Sequence, residues 1–189
     1  LPTIYTELLL GQGKNLTLCL NGKTLSATNG VTNYNHIRVT DSAALAIDDC
    51  IGTGTVKGAA ANGGWGGIAY VKDGTLTIQN GKFTGGTAST GGGAIVVEAG
   101  GELNLYSGEI SGNTVTSGKG GAIYIKSGGI VNIYGGTIKD NHVYSGNGGA
   151  IYVAAGGTLN LYGGTITDNT ASTHGGGIYV EKGGTLNIH

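Results

Sequence analysis

The sequence predicts an all-β chain wound as a parallel solenoid, and three observations predict it. A short phrase recurs: Gly121-Ala122-Ile123-Tyr124-Ile125 returns as Gly149-Ala150-Ile151-Tyr152-Val153 and again as Gly176-Gly177-Ile178-Tyr179-Val180. Looser copies are Gly93-Ala94-Ile95-Val96-Val97 and Gly67-Ile68-Ala69-Tyr70-Val71, so one position recurs as Ile68, Ala94, Ala122, Ala150 and Gly177. A near-constant period of roughly 27–28 residues means stacked units that cannot bury their faces alone. Within each unit, apolar and polar residues alternate over four or five positions between glycine pairs, which is strand patterning. Finally, 41 glycines in 189 residues exclude helices, at about 1 kcal/mol for each helical glycine.

The unit beginning at Gly121 shows the elements in order. Residues 122–125 alternate Ile123 and Ile125 against Tyr124; residues 130–134 alternate Val131 and Ile133 against Asn132 and Tyr134; a third run, Thr137-Ile138, continues into Asp140-Asn141-His142-Val143. Three strands in one period leave no room for crossover helices. The chain must coil, each strand lying parallel to its equivalent one turn later at about 4.8 Å. The inward columns read Leu76, Leu103, Val131, Leu159, Leu186; then Ile78, Leu105, Ile133, Leu161, Ile188; then Phe83, Ile110, Ile138, Ile166. Glycine pairs mark the corners, where positive φ is needed. Residues 66–189 form the regular coils and residues 16–65 irregular early ones. Residues 1–15 fall outside the repeat and read as an N-terminal cap or as a first strand, through Leu1-Pro2-Thr3-Ile4-Tyr5 and Leu8-Leu9-Leu10. About six coils give a height on the order of 30 Å.

At the level of these motifs the chain resembles the right-handed parallel β-helix repeat proteins of the pectate-lyase-like superfamily. More narrowly it resembles the Gly-rich repeats, with phrases of the type Gly-Gly-Thr-Leu-Asn-Leu-Tyr-Gly-Gly-Thr-Ile (residues 156–166), found in large bacterial surface and secreted proteins. The likeness is strong over 66–189 and weaker over 16–65. It implies a right-handed β-helix in a secreted or cell-surface protein with a structural or adhesive role, holding polysaccharide or a host glycan or protein. Its alternative is a polysaccharide lyase or glycoside hydrolase.

Composition narrows the function classes. Net charge is −1, charged residues make up 11%, and no basic stripe exists, which argues against nucleic acid. No apolar run approaches the length of a membrane span, roughly 18 residues or more. Leu1 is not a start methionine and Met is absent, as expected of a segment from a longer chain whose signal peptide and other domains have been removed. The sequence stops at Leu186-Asn187-Ile188-His189, inside a second strand; an uncapped stack of this kind predicts end-to-end association or further repeats.

The candidate chemistry is sparse. Enzyme resemblance would require an Arg or Lys base, or paired carboxylates. The nearest match is His36, Arg38, Asp48 and Asp49; Arg38 is the only arginine. Asn113, Asn141 and Asn169 recur once per coil and read as a corner ladder. Asp140 and Asp168 beside them lack the carboxylate density of a calcium site, so neither metal nor cofactor is expected. The outward face of the first strand reads Tyr70, Val96, Tyr124, Tyr152, Tyr179, and that of the second ends in Gln79, Tyr106, Tyr134, Tyr162, His189. Tyr124, Tyr152 and Tyr179 form the candidate sugar platform, flanked by Lys126 and Glu181 and rimmed by loop residues Lys119, Asn147 and His174. The competing reading is that the rings stack only on one another. Lys72, Glu98, Lys126, Ala154 and Glu181 alternate in sign down the stack wherever they are charged. Cys19 and Cys50 are separated by close to one coil, which predicts a disulfide and an oxidising compartment; the competing picture is two reduced thiols buried in the core.

Overall fold

The computed structural model describes residues 7–26, 36–61 and 64–189. It is a parallel β-solenoid of about six turns, with no helix among the described residues. The first sheet stacks Leu8–Leu10, Ile37–Val39, Ala69–Val71, Ile95–Val97, Ile123–Ile125, Ile151–Val153 and Ile178–Val180. The second stacks Asn15–Cys19, Ala44–Asp48, Thr75–Ile78, Glu102–Leu105, Ile130–Ile133, Thr158–Leu161 and Thr185–Ile188. The third runs from Thr24–Ser26 through Thr55–Lys57, Lys82–Thr84, Glu109–Ser111 and Thr137–Lys139 to Thr165–Thr167. Every pairing is parallel and sets equivalent residues side by side, for example Tyr124 against Tyr152 and Tyr152 against Tyr179. The apolar segment at residues 1–5 that reads as a cap lies outside the described residues; Leu8–Leu10 pairs with Ile37–Val39 as the first rung of the first sheet.

The three expected strands per coil are joined by two shorter ones. A fourth sheet stacks the two-residue strands Ala60–Ala61, Thr87–Ala88, Thr114–Val115, His142–Val143 and Thr170–Ala171. A fifth ladder pairs Gly118–Lys119 with Gly146–Asn147 and extends by single bridges to Trp65, Gly91 and His174. Runs this short carry no readable alternation, which is why the sequence shows them only as turns.

The interior is largely aliphatic. Phe83, Leu45, Ile47, Leu76, Ile78, Leu103, Leu105 and Ile110 are fully buried, each worth about 1.5–3 kcal/mol of transfer free energy. A separate small cluster of Ala88, Val115 and Val143 lies behind the fourth sheet. The two interiors are divided where glycine backbone meets backbone. In the pair Gly120-Gly121, Gly120 takes the left-handed turn at φ +67, and Gly121, without positive φ, is required by contact with the next coil. A Cβ on Gly121 would run into the Gly149 carbonyl oxygen and sit 3.0 Å from the His142 nitrogen.

At the corner between the third and fourth sheets the Asn ladder forms inside the protein, with Asn113 and Asn141 fully buried. The Asn113 amide N–H and Nδ2 both donate to Asn141 Oδ1 at 3.0 Å. Asn141 repeats this toward Asn169 at 3.0 and 2.9 Å, and its Nδ2 also donates to the Ile110 and Lys139 carbonyls. Each carboxamide therefore closes backbone groups of two coils that the turn leaves without sheet partners. Asp140 and Asp168 precede two of these Asn residues in left-handed backbone, φ 54° and 53°, which Asp adopts more readily than bulkier residues.

Substituting Asn141→Ala should cost about 3 kcal/mol, because it strands a buried N–H and two carbonyls. Asn160→Ala, on the solvent side of the second sheet, should cost under about 1 kcal/mol. Urea titration of the two variants checks the pair; equal losses would refute the role of burial.

Candidate functional site

The first sheet turns its aliphatic residues inward and presents Arg38, Tyr70, Val96, Tyr124, Tyr152 and Tyr179 outward, in register. This outward face is not open. Tyr152 is 3% exposed and Val96 is fully buried, because the Gly-rich loops of the fifth ladder fold back over the sheet. Gly91 lies close enough to the Tyr124 ring that a Cβ there would meet Cδ1 at 2.9 Å. Lys119, carried on that ladder, sets its Nζ 4.6 Å from the Tyr152 ring centroid and 5.8 Å from that of Tyr124, then reaches Glu181 at 4.0 Å. Tyr124 and Tyr152 meet edge to face at 5.5 Å, and Tyr152 and Tyr179 stack at 5.0 Å. Burial, with a hydrogen bond from its hydroxyl to Glu181, pushes the Tyr152 pKa above the ordinary tyrosine range. Burial likewise raises Tyr124. The three-ring row is thus a packed cluster roofed by an ammonium group, and the expected flat platform is closed at its middle ring.

The other residues expected around the platform are occupied by one another. Lys126 pairs with Glu98 and lies 3.5 Å from the Trp65 ring centroid, on the N-terminal side of the tyrosine row. Glu98 also accepts the Tyr70 hydroxyl at 2.7 Å. The alternating charges read from the sequence form, at Glu98 and Lys126, a shared ion pair. Asn147 and His174 are bonded neighbours, Nδ1 to Oδ1 at 3.1 Å, within the fifth ladder.

The second sheet carries the exposed aromatic column. Tyr106, Tyr134, Tyr162 and His189 stack at 4.7, 4.9 and 4.4 Å with interplanar angles of 11°, 9° and 11°. The tyrosines are 40–46% exposed, yet neighbours cover both faces of Tyr134 and Tyr162. A sugar stacks on a ring face, so these two inner rings offer edges and hydroxyls only. Beside it Asn104, Asn132, Asn160 and Asn187 form a second amide ladder with bonds of 2.7–2.9 Å.

The candidate catalytic residues separate into two places. His36 and Arg38 sit at the first sheet, while Asp48 ends the second-sheet strand Ala44–Asp48 and Asp49 follows it. His36 is buried, and burial lowers its pKa. Arg38 lies 5.2 Å from the Tyr70 ring centroid and 3.9 Å from Glu7. Asp49 is a corner acceptor that no motif announces: its carboxylate takes the Gly22 N–H at 2.7 Å and the Gly54 N–H at 2.6 Å, tying two coils together. Those bonds hold its pKa below the usual carboxylate range. Asp48 instead accepts the Asp49 N–H at 2.8 Å. Neighbours in sequence, the two carboxylates serve different turns.

Cys19 and Cys50 are both free and exposed thiols with sulfurs 2.8 Å apart, so the structure holds neither the expected disulfide nor thiols buried in the core. Among the described residues no three His, Cys, Asp or Glu side chains converge as metal ligands would, the Asp140 and Asp168 region included.

The third sheet adds a polar network that alternation alone did not single out. Glu109 accepts from Ser111 at 2.6 Å and pairs with Lys82 at 2.9 Å and Lys139 at 3.2 Å. A shallow cavity of about 310 Å³ adjoins it, lined by Lys82, Glu109, Thr137 and the Gly52, Asn80, Gly81 and Gly108 turns.

Two stretches, residues 107–126 and 163–181, match the family profile described as the Chlamydia polymorphic membrane protein repeat. Each runs from a third-sheet strand through a ladder Asn (Asn113 or Asn169) and a glycine pair into the next first-sheet strand. No curated protein and no solved structure matches the chain.

The Glu109 network predicts acid sensitivity. Burial acts to raise its pKa, but the Ser111 hydroxyl and the two lysines outweigh it and hold Glu109 at about 2. A depressed carboxylate stabilises the fold above its unfolded pKa, near 4.5, and loses that contribution as pH falls toward 2. The urea midpoint should therefore drop between pH 5 and pH 2, and Glu109→Gln should make that drop shallower. An unchanged pH profile in the variant would show that the network is not the source.

Proposed function

We propose that the chain is a stiff structural module displayed on a bacterial cell surface or secreted from it, spacing or presenting the adhesive parts of a larger protein. The observation that carries this reading is the engagement of its polar and aromatic side chains in ladders along the solenoid axis. The Asn113–Asn141–Asn169 corner, the Asn104–Asn187 amide row and the Tyr106–His189 ring stack each join successive coils. Such a design resists bending and unwinding, because each coil is bonded to the next through side chains as well as backbone. Similarity of two stretches to a membrane-protein repeat supports the surface location. The pectate-lyase-like lineage is proposed at the level of fold; His36, Arg38, Asp48 and Asp49 supply no common site through which a lyase or hydrolase would act.

Glycan holding on the Tyr124–Tyr179 face is a narrower part of the proposal. It requires Lys119 to swing away from the rings it covers, since Tyr152 has no open face while the ammonium is in place. A glycan array probed with the native chain and with Lys119→Ala separates the readings. Binding that appears or strengthens in the variant, and is lost in Tyr124→Thr/Tyr152→Thr, supports a gated sugar site; no binding by either protein leaves a spacer alone.

The surface reading is tested on intact cells of the native host. Antibody raised against residues 66–189 should label them without permeabilisation, and brief external protease should remove the label. Labelling only after permeabilisation overturns the proposal.

A further inference from the structure

The first coil lies outside the Asn ladder, which begins at Asn113, and its second-sheet strand Asn15–Cys19 is largely exposed and, among the described residues, pairs only with Ala44–Asp48. Cys19 is the last residue of that strand and faces Asp48 in the register. Two residues further on, the chain turns back at Cys50, so both sulfurs meet on the outer surface of the corner between the second and third sheets, 2.8 Å apart. Asp49, between Asp48 and Cys50, points the other way, onto the Gly22 and Gly54 amides. The corner is thus held rigidly from inside while the thiols face solvent. Asp48 Oδ2 is 4.0 Å from the Cys50 sulfur.

We propose that Cys19 and Cys50 form an exchange-active dithiol whose oxidation clips the first coil to the second. The chemistry balances with a small-molecule disulfide as oxidant. The thiolate of one cysteine attacks one sulfur of that disulfide, forming a mixed disulfide and releasing one thiolate. The other cysteine then gives up its proton and attacks the protein sulfur of the mixed disulfide, forming the intramolecular bond and releasing the second thiolate. Two protein thiols are oxidised and one small disulfide is reduced to two thiols. Both sulfurs are exposed and either can donate to the other, so the thiolate of either cysteine can open the exchange. The consequence is mechanical: the pairing of Asn15–Cys19 with Ala44–Asp48 gains a covalent tie in place of the Asn ladder that later coils have.

The test uses the whole chain, reduced, freed of reductant and exposed while folded to oxidised glutathione. Peptide mass mapping should find Cys19 joined to Cys50 within one molecule, and hydrogen exchange over residues 15–26 should slow relative to the reduced chain. Cys50→Ser should trap glutathione on Cys19, and Cys19→Ser should trap it on Cys50, as stable mixed disulfides. Persistent free thiols, stable glutathione on both cysteines of the wild type, or cross-links only between molecules overturn the dithiol. The wild-type oxidised and reduced comparison stands even where a serine variant fails to fold.

Discussion

In-register parallel stacking places each residue of one coil over its counterpart in the next, about 4.8 Å away, and this constraint selects nearly every side chain in the molecule. A side chain survives here only if it can sit beside a copy of itself or beside a complement. Aliphatics meet the condition by dispersion, carboxamides by donating and accepting at once, and aromatic rings by offset stacking. Single-sign charges fail it, so Glu109 stands between Lys82 and Lys139, and Glu98 beside Lys126. A composition with only 11% charged residues follows from the same rule.

The constraint also explains how function-bearing chemistry is distributed. Asymmetric sites need unlike residues gathered at one point, and a strict repeat resists that. The departures from repetition lie mainly in the early coils. There Gln12, Asp41, Ser42 and Asp73 hold left-handed backbone at corners where later coils place Gly100, Gly128, Gly156 and Gly183. The buried Asp49 belongs to this irregular region. Its carboxylate, bonded to Gly22 and Gly54, does for the first coils what the carboxamides of Asn113 and Asn141 do later. Such an acid, saturated by backbone N–H groups, is held ionised as an acceptor and is a poor proton donor.

Much of the fold was legible because the repeat is nearly literal. The near-constant spacing from Ile68 to Gly177 and the inward columns from Leu76 to Ile188 specify three sheets and their register. Asn113, Asn141 and Asn169 announce their ladder by position alone. The pattern tells which face a residue takes but not what lies over that face. Tyr152 alternates as an outward residue and is outward from its sheet, yet it is 3% exposed. The covering comes from the two-residue fifth ladder around Lys119 and Asn147, too short to show any period. The same limit hid the second role of the glycine pairs. Gly120 reads correctly as a turn, whereas Gly121 is demanded by backbone contact with Gly149, which no local pattern encodes. Cys19 and Cys50 were legible through their spacing; their exposure was not, since it depends on Asp49 taking the inward place at their corner.

Stability in such an array is a sum of coil terms and nearest-neighbour interfaces, so the weakest interface governs where the chain opens. The middle coils share the Asn ladder, the ring stack and a filled interior around Phe83, Ile110 and Ile138. The first coil shares neither ladder, and its second-sheet strand is mostly exposed. The interface between Asn15–Cys19 and Ala44–Asp48 is therefore tied by fewer side chains than those of the middle coils. A tie at the Cys19–Cys50 corner acts on this interface and on no other. A bond of similar length closed among the middle coils would add little, because cooperative contacts already hold them shut. The location of the thiols in a coil that the Asn ladder does not reach is therefore what gives their chemistry leverage over the whole solenoid.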